Sequence, residues 1–354
     1  MPIDLSNVLL QWYNARKRRL PWRATRDPYK IWISEVMLQQ TRVETVIPYY
    51  RKFLQQFPTV KSLAAADLSS VLKVWAGLGY YARARNLWKA AAVLVSHYRG
   101  KLPRRSAQLQ TLPGVGEYTA AAIASIAFNE AVPALDGNAK RVFSRWFALE
   151  CDPSSRSGML QLREKASKLL DPLRPGDWNQ AVMELGAITC LPENPRCDAC
   201  PVKEFCAARR ENIANEIPRS KKRPPPPHYQ VTAGVIRNRG RILIARRKEQ
   251  GLLGGLWKFP GGKQEAGESL EECLQRELQE ELNIQVAVGE KLTSINHAYT
   301  HFRITLHVFF CRWIGGRPEP LGCAQLKWIR PKELTRYAFP KADYRVIELL
   351  LKRS

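Results

Sequence analysis

The sequence lacks the features that place a protein in or across a membrane. No apolar run approaches the roughly 18 residues of a membrane-spanning helix, and no lipidation motif or basic amphipathic anchor is visible at either end. Met1 is followed by Pro-Ile-Asp-Leu instead of the apolar core of a signal peptide. We therefore expect a cytoplasmic protein with no membrane partner, in which nothing supports a disulfide framework.

Acidic residues are few relative to basic ones. The 354 residues include 56 Lys and Arg against 32 Asp and Glu, so the net charge is +24. An excess of this size favours a polyanionic partner such as nucleic acid. Because 45% of the residues are hydrophobic, the chain has enough apolar material for about two or three core-sized units.

A basic and proline-rich stretch divides the chain. The prolines 224–227 cannot enter a helix interior or a central strand, so they favour a stiff spacer. Helical periodicity precedes the spacer, whereas short strands (230–237 and 241–247) and a charged helix (269–282) follow it. The sequence predicts a multidomain protein with an all-α domain at residues 1–210, a linker at 211–228 and an α+β domain at 229–354.

Four cysteines lie close together in the sequence, at Cys190, Cys197, Cys200 and Cys206. A zinc ribbon usually has two Cys-x2-Cys pairs, whereas only one is present here, flanked by single cysteines. Cubane iron–sulfur clusters also take four cysteine thiolates and tolerate several spacings. The pattern favours an iron–sulfur cluster, with zinc and four ordinary thiols as the alternatives.

Two other patterns precede the cysteines. The segment Leu112-Pro113-Gly114-Val115-Gly116 lies between helical stretches, where its backbone N–H groups and the following helix N-terminus could bind a phosphate. Asp136 directly precedes another predicted helix, a position that an ordinary helix N-cap also explains. Each pattern is weak by itself.

Taken in order, the hairpin, the aspartate and the four cysteines resemble the endonuclease III superfamily of helix-hairpin-helix DNA glycosylases. Residues 32–41 (WISEVMLQQT) and 77–87 (GLGYYARARNL) resemble its adenine DNA glycosylase (MutY) branch. The resemblance implies a base excision repair enzyme that flips adenine out of 8-oxoguanine·adenine or guanine·adenine pairs in double-stranded DNA and hydrolyses its N-glycosidic bond. It also implies one 4Fe–4S cluster on the four cysteines. We further expect a monomer and, by default, a bacterial protein that acts at the nucleoid.

The resemblance assigns roles to particular residues. Glu35 would protonate adenine and later activate water, while Asp136 would stabilise the positive charge on the sugar. The apolar neighbours of Glu35 suit a raised pKa, and a helix start suits an ionised Asp136. Tyr118 stands where strand-cleaving relatives have a Schiff-base lysine, so hydrolysis alone is expected. The other implied substrate or DNA contacts are Trp22, Arg23, Leu38, Gln39, Gln40, Tyr80, Gly114, Gly116, Asn138 and Gln180.

Two other classes of function stay open on the sequence. One is an endonuclease III-like glycosylase and lyase that acts on oxidised pyrimidines. The other is a DNA-binding module with no enzymatic activity.

The second half resembles the C-terminal domain of the same branch, which shares the fold of the nucleotide hydrolase MutT and recognises 8-oxoguanine. Residues 251–260 (GLLGGLWKFP) resemble its opening. Residues 297–302 (HAYTHF) resemble its lesion-reading loop, so His297, Thr300 and His301 are the implied contacts. Thr300 stands where the family often has serine, and it retains the hydroxyl.

Residues 262–284 reproduce a Nudix box except for Asn283, where the pattern has glycine. Glu277, Glu280 and Glu281 share one helical face, on which carboxylates could hold Mg²⁺ against a diphosphate. Asparagine tolerates the left-handed conformation that such a glycine adopts. An active diphosphate hydrolase, for example one acting on 8-oxo-dGTP, is therefore an alternative to the recognition-only domain that we favour.

Overall fold

The computed structural model describes residues 2–219, 224–299 and 301–353, with the side chains of residues 2–4 left out. The chain divides into two compact units. One comprises Met1–Ala65 and Asn86–Arg223, and the other comprises Ala66–Arg85 and Pro224–Ser354. The segment Ala66–Arg85 thus groups with the C-terminal part of the chain. The exact limits of the predicted domains and linker stay a prediction, and residues 220–223 lie outside the described ranges.

Helices account for the regular structure described before residue 219. Short 3₁₀ turns lie at Pro21–Ala24, Cys197–Ala199 and Lys203–Phe205. The α-helices are α1 (Pro2–Arg16), α2 (Pro28–Leu38), α3 (Val43–Gln56), α4 (Val60–Ala65), α5 (Leu68–Trp75), α6 (Ala82–Tyr98), α7 (Ser106–Leu109), α8 (Glu117–Phe128), α9 (Gly137–Trp146), α10 (Arg156–Leu169), α11 (Pro175–Ile188) and α12 (Ala207–Arg210).

Local sequence sets where the functional helices begin. Asp27 caps α2 by accepting hydrogen bonds from the backbone N–H groups of Tyr29 and Lys30, and Asp136 caps α9 through Ala139. The apolar faces of α1, α9 and α11 then share one core built around large aromatic side chains, which include Phe143, Trp146 and Trp178. The core includes Leu135 and Ala139 and so holds the start of α9. Among the described residues we find no helix with the length and apolar character to cross a bilayer.

The C-terminal part forms a six-stranded sheet in the order β3-β2-β1-β5-β4, with β6 paired to β2. β1 pairs in parallel with β5, and the β1–β2, β2–β3, β2–β6 and β4–β5 pairs are antiparallel. The strands are β1 (His228–Asn238), β2 (Arg241–Arg246), β3 (Trp257–Lys258), β4 (Ile284–Ala298), β5 (Arg303–Gly316) and β6 (Gln325–Ile329).

One helix covers each face of this sheet. The faces alternate along β2, where Ile242 and Ile244 enter one core and Leu243 and Ala245 enter the other. The first core includes α14 (Lys341–Lys352) and the second includes α13 (Leu270–Leu282). The predicted all-α part followed by an α+β part is therefore confirmed.

The Nudix-box helix α13 begins and ends as its sequence predicts. Ser269 and Glu272 form a reciprocal capping box at its start. At its end, Asn283 adopts the left-handed conformation, with φ 54°. Because asparagine reaches this region more readily than most residues, the missing glycine leaves the turn intact.

Candidate active site

The helical part contains a cavity of about 580 Å³. Side chains from α2, α8, α9 and α11 contribute to its wall, as does the 3₁₀ turn at Pro21–Ala24. The lining includes many of the residues predicted from the sequence, namely Trp22, Arg23, Glu35, Leu38, Gln39, Gln40, Tyr118, Asp136, Asn138 and Gln180. Residues separated by more than 150 positions in the chain thus meet around one space large enough for a nucleobase.

Glu35 is the carboxyl group with the most perturbed setting in this cavity. Its residue is only 6% exposed, and its Oε2 accepts a hydrogen bond of 2.6 Å from the Tyr118 hydroxyl. Burial raises the pKa of Glu35 to about 7, although the Tyr118 hydrogen bond opposes the rise. A carboxyl group with this pKa can both donate and accept a proton near neutral pH.

Asp136 is the second carboxylate of the cavity and has different surroundings. Its Oδ1 accepts a hydrogen bond of 2.6 Å from the Ala139 backbone N–H at the start of α9. Its Oδ2 accepts one of 3.2 Å from Asn138 Nδ2. Burial raises the pKa of Asp136 above its usual value, although these hydrogen bonds and the charge of Arg141 oppose the rise. The donors and the helix N-terminus favour the ionised form.

Sequence reasoning missed a buried ion pair network beside the cavity. Glu184 on α11 is fully buried, and it accepts hydrogen bonds from the side chains of Arg18 at 2.7 and 2.9 Å and from Arg23 at 2.8 Å. Although burial alone would raise its pKa, these arginines lower the pKa of Glu184 to about 2. The sequence did contain a signal for this network. Glu184 is a lone glutamate in an otherwise buried stretch of α11, and a buried charge predicts a charged partner.

A chain of polar contacts leads from Asp136 toward the cysteines. Asn138, which donates to Asp136, accepts a hydrogen bond of 2.9 Å from Arg141. Arg141 in turn donates to the backbone oxygens of Gly186 at 2.7 Å and Cys190 at 2.9 Å. The position of the catalytic candidate Asp136 is therefore tied to the backbone at the first predicted cluster ligand.

Cys190, Cys197, Cys200 and Cys206 line one small cavity. In the described ranges no three His, Cys, Asp or Glu side chains converge to hold a single metal ion. Arg145 lies beside them, only 1% exposed, and donates to Cys190 Sγ at 3.3 Å and to three backbone oxygens. In the described part of the chain, Arg145 forms no salt bridge with a carboxylate, and the Cys190 sulfur is among its acceptors.

The hairpin leaves a helix start open. Val115 donates to the Leu112 oxygen at 3.1 Å, and Gly114 has φ +74° with Asn86 packed where a side chain would lie. Gly116 precedes α8 without a side-chain cap. The first N–H groups of α8 thus lack a capping side chain at an exposed turn.

The implied DNA contact Tyr80 and the implied lesion-reading residues lie in the other compact unit. Tyr80 is 37% exposed and has φ 49°. His297 packs edge-on against Tyr299, and Tyr299 stacks on Phe302. His301 is exposed beside them, and Thr300 lies outside the described residues.

The three predicted Nudix carboxylates all lie on α13, and each has a cationic neighbour. Arg276 contacts Glu277 and Glu280, and Lys258 contacts Glu281. The predicted register of the box is thus consistent with the fold.

Comparisons with known proteins agree with this architecture. Residues 33–168 match the model of the HhH-GPD superfamily base excision DNA repair protein, and residues 232–349 match that of the NUDIX domain. The adenine DNA glycosylase of Homo sapiens is 36% identical over 96% of this chain and 73% of its own length. That of Mus musculus is 37% identical over 96% and 76%, and that of Buchnera aphidicola (Acyrthosiphon pisum, strain APS) is 33% identical over 87% and 86%.

Solved structures match the helical part. A thermostable thymine-DNA glycosylase aligns with a TM-score of 0.55 and 30% identity, covering 59% of this chain and 97% of that one. A non-covalent endonuclease III–DNA complex aligns with a TM-score of 0.51 at 22% identity, covering 60% and 98%, which shows a shared fold. With two carboxylates in one cavity of this fold and relatives of one kind over nearly the whole chain, the protein belongs to the adenine DNA glycosylase family, enzymes of base excision repair.

Proposed function

We propose that this enzyme removes adenine paired with 8-oxoguanine or guanine in double-stranded DNA, by hydrolysis without strand cleavage. The observation that carries the proposal is the buried Glu35 carboxyl, with its pKa raised to about 7, in the same cavity as Asp136. Two carboxyl groups with unlike surroundings are what hydrolysis of a glycosidic bond requires.

Glu35 is proposed as the general acid and then the general base. Near pH 7 about half of the molecules carry its proton, which can pass to a ring nitrogen of adenine and make the base a better leaving group. Tyr118 then donates its hydrogen bond to the carboxylate that remains. The ionised Glu35 can next take a proton from the attacking water.

Asp136 is proposed to stabilise the positive charge that develops on the sugar. The Ala139 N–H and the Asn138 amide hold its two oxygens in place, so it need not reorient as the charge forms. Arg141 donates a hydrogen bond to the amide oxygen of Asn138 and so fixes the orientation of this amide.

The cavity wall suits a purine. Trp22 and Leu38 provide apolar surface, and Arg18, Gln180 and Glu184 provide hydrogen-bonding groups around it. Because Glu184 binds Arg18 and Arg23 together, the polar side of the pocket is ordered before the base arrives.

Hydrolysis alone is supported by the absence of an amine from the cavity. Tyr118 has a phenol, which cannot form a Schiff base with the sugar. No lysine of the described residues lines the cavity either. An endonuclease III-like lyase mechanism therefore has no nucleophile here.

We also propose that the four cysteines hold a 4Fe–4S cluster. Each thiolate of such a cluster binds a different iron, so four sulfurs spread around a cavity fit it better than they fit one zinc ion. The buried Arg145 guanidinium would offset part of the charge of the thiolates. In this position the cluster would order the loop that bears Arg196, Lys203 and Arg209 rather than take part in bond cleavage.

The C-terminal part is proposed as the reader of 8-oxoguanine. His301 is exposed next to a loop that Tyr299 closes by donating its N–H to the Phe302 oxygen at 2.8 Å. A loop held in this way can present a side chain to a base at little entropic cost.

The expected monomer and bacterial nucleoid location stay predictions.

Glu35→Gln tests the proposed reaction. The amide cannot act as an acid, so adenine release from an 8-oxoguanine·adenine duplex should fall by at least about 100-fold while the Kd for the duplex is retained. Single-turnover assays with Glu164→Gln, an exposed control, would measure this. In the wild type, strand breaks should appear only after alkali; breaks before alkali, or full activity of Glu35→Gln, would contradict the proposal.

Tyr118→Phe should move the pH profile. The Tyr118 hydrogen bond stabilises the ionised Glu35 and lowers its pKa, so its loss should raise that pKa. For the wild type the excision rate should fall as pH rises through about 7, because the protonated form disappears. For Tyr118→Phe the fall should occur at higher pH, whereas Tyr98→Phe should match the wild type. A shift to lower pH would disprove the assigned hydrogen bond.

The cysteine site predicts a metal content. Purified protein should be yellow-brown, with about four irons per chain. Replacing Cys200 with serine should lower the iron content, whereas replacing the half-buried Cys151, which lies outside the set, should not. Elemental analysis would decide, and stoichiometric zinc in colourless active protein would rule the cluster out.

His301→Ala tests the reader domain in the intact chain. The loss of one base contact costs roughly 1–3 kcal/mol, so preference for 8-oxoguanine·adenine over guanine·adenine should fall by about tenfold or more. His97→Ala, an exposed histidine on α6, is the control. Equal discrimination by His301→Ala and wild type would exclude this histidine from recognition.

A further inference from the structure

A buried lysine lies shortly before the Nudix box of residues 262–284 and outside its pattern. Lys258 lies on β3, in the segment Trp257-Lys258-Phe259-Pro260, and is only 6% exposed. Burial lowers the pKa of its ammonium, whereas the charge and hydrogen bonds of Glu281 raise it. A buried ammonium requires a compensating anion, and in this chain the box supplies it.

The hydrogen-bonding capacity of that ammonium is completely used. Its Nζ donates to Glu281 Oε2 at 2.6 Å, to Glu281 Oε1 at 2.8 Å and to the Gly261 backbone oxygen at 3.0 Å. A lysine ammonium has three donors, and each has one oxygen partner here. Both carboxylate oxygens of Glu281 are therefore engaged by an internal cation.

Arg276 engages Glu277 and Glu280, the other two carboxylates of the predicted metal set, and also Glu268. It contacts Glu268 at 2.8 and 3.0 Å, Glu277 at 3.4 Å and Glu280 at 3.2 Å. Glu277 also packs so closely on Gly262 that a side-chain carbon there would lie 2.1 Å from its carboxylate. Every acidic side chain of the predicted metal set thus already faces a cation of the same chain.

This arrangement does not fit Mg²⁺. The ion needs oxygen ligands at about 2.0–2.1 Å in nearly ideal octahedral geometry. To reach the Glu281 oxygens it would have to displace the ammonium, or bind beside a buried positive charge that repels it.

We infer that the Lys258 ammonium takes the place of a divalent cation at the Nudix box, so that the domain is a metal-independent reader with a latent metal site. The inference rests on the recognition role proposed above for this domain. In that role the acidic helix α13 would repel DNA phosphates. An internal cation reduces this repulsion. Without a bound metal, Mg²⁺-dependent diphosphate hydrolysis is not expected.

Mn²⁺ binding to the full-length protein tests the inference, because free Mn²⁺ is quantified directly by electron paramagnetic resonance. In the wild type, Glu281 should hold no Mn²⁺. The wild type and Glu281→Gln should therefore bind the same amount of Mn²⁺. Lys258→Met keeps much of the side-chain volume and leaves Glu281 without its partner, so it should gain about one Mn²⁺ per chain. Lys332→Met, an exposed lysine, should gain none.

Thermal unfolding provides a second readout. Lys258→Met should have a lower Tm than wild type, since it leaves a carboxylate uncompensated, and Mn²⁺ should raise the Tm of this variant alone. The rise should be absent from the Lys258→Met/Glu281→Gln double variant. If Lys258→Met folds but does not bind Mn²⁺ and shows no rise in Tm when Mn²⁺ is added, the inference is overturned.

The wild type decides the question even if Lys258→Met does not fold. Mn²⁺ bound by wild type and lost in Glu281→Gln would overturn the inference, as would Mg²⁺-dependent pyrophosphate release from 8-oxo-dGTP that Glu281→Gln abolishes. If the wild type shows neither Glu281-dependent Mn²⁺ binding nor Glu281-dependent pyrophosphate release, the inference is supported. Adenine excision, measured in parallel, should be retained in Glu281→Gln, so failure of the proposed glycosylase reaction is seen separately.

Discussion

The reaction proposed for this protein depends on the burial of one carboxyl group, Glu35, in the wall of a cavity. Desolvation raises the pKa of this group and favours its neutral form, which holds its proton more tightly. The single hydrogen bond from Tyr118 opposes desolvation and brings the pKa to about 7. The helices around the cavity serve to keep these two opposing effects in balance.

Asp136 is a second carboxylate of the same cavity, and it is proposed to carry a negative charge instead of donating a proton. It lies at a helix start and accepts hydrogen bonds from a backbone amide and from Asn138, so its charge is stabilised by fixed dipoles. Glu35 lies near the end of α2, among buried apolar side chains, and has no such donors from a helix start. Local backbone position thus separates the proposed acid from the proposed charge stabiliser.

Three other buried charged residues contact groups that the fold brings to them. Glu184 binds two arginines beside the cavity, Arg145 faces the cysteines and Lys258 binds Glu281. Such pairs add little net stability relative to apolar packing, but losing one partner is costly. They therefore specify one arrangement of the elements that carry them, which is the property that a preorganised site needs.

Much of this architecture was readable in the sequence. The helical and strand periods, the four-proline spacer and the caps at Asp136 and Ser269 depend on neighbours within a few residues, and the motif segments around Glu35 and Gly114 carried the family. Local signals could not reveal that Arg18 and Glu184 meet across 166 positions, or that Lys258 reaches Glu281. The sequence by itself determined which residues are able to do the chemistry and where their helices begin. Only the tertiary structure decided which charges face each other, because ion pairing depends on distances that folding alone sets.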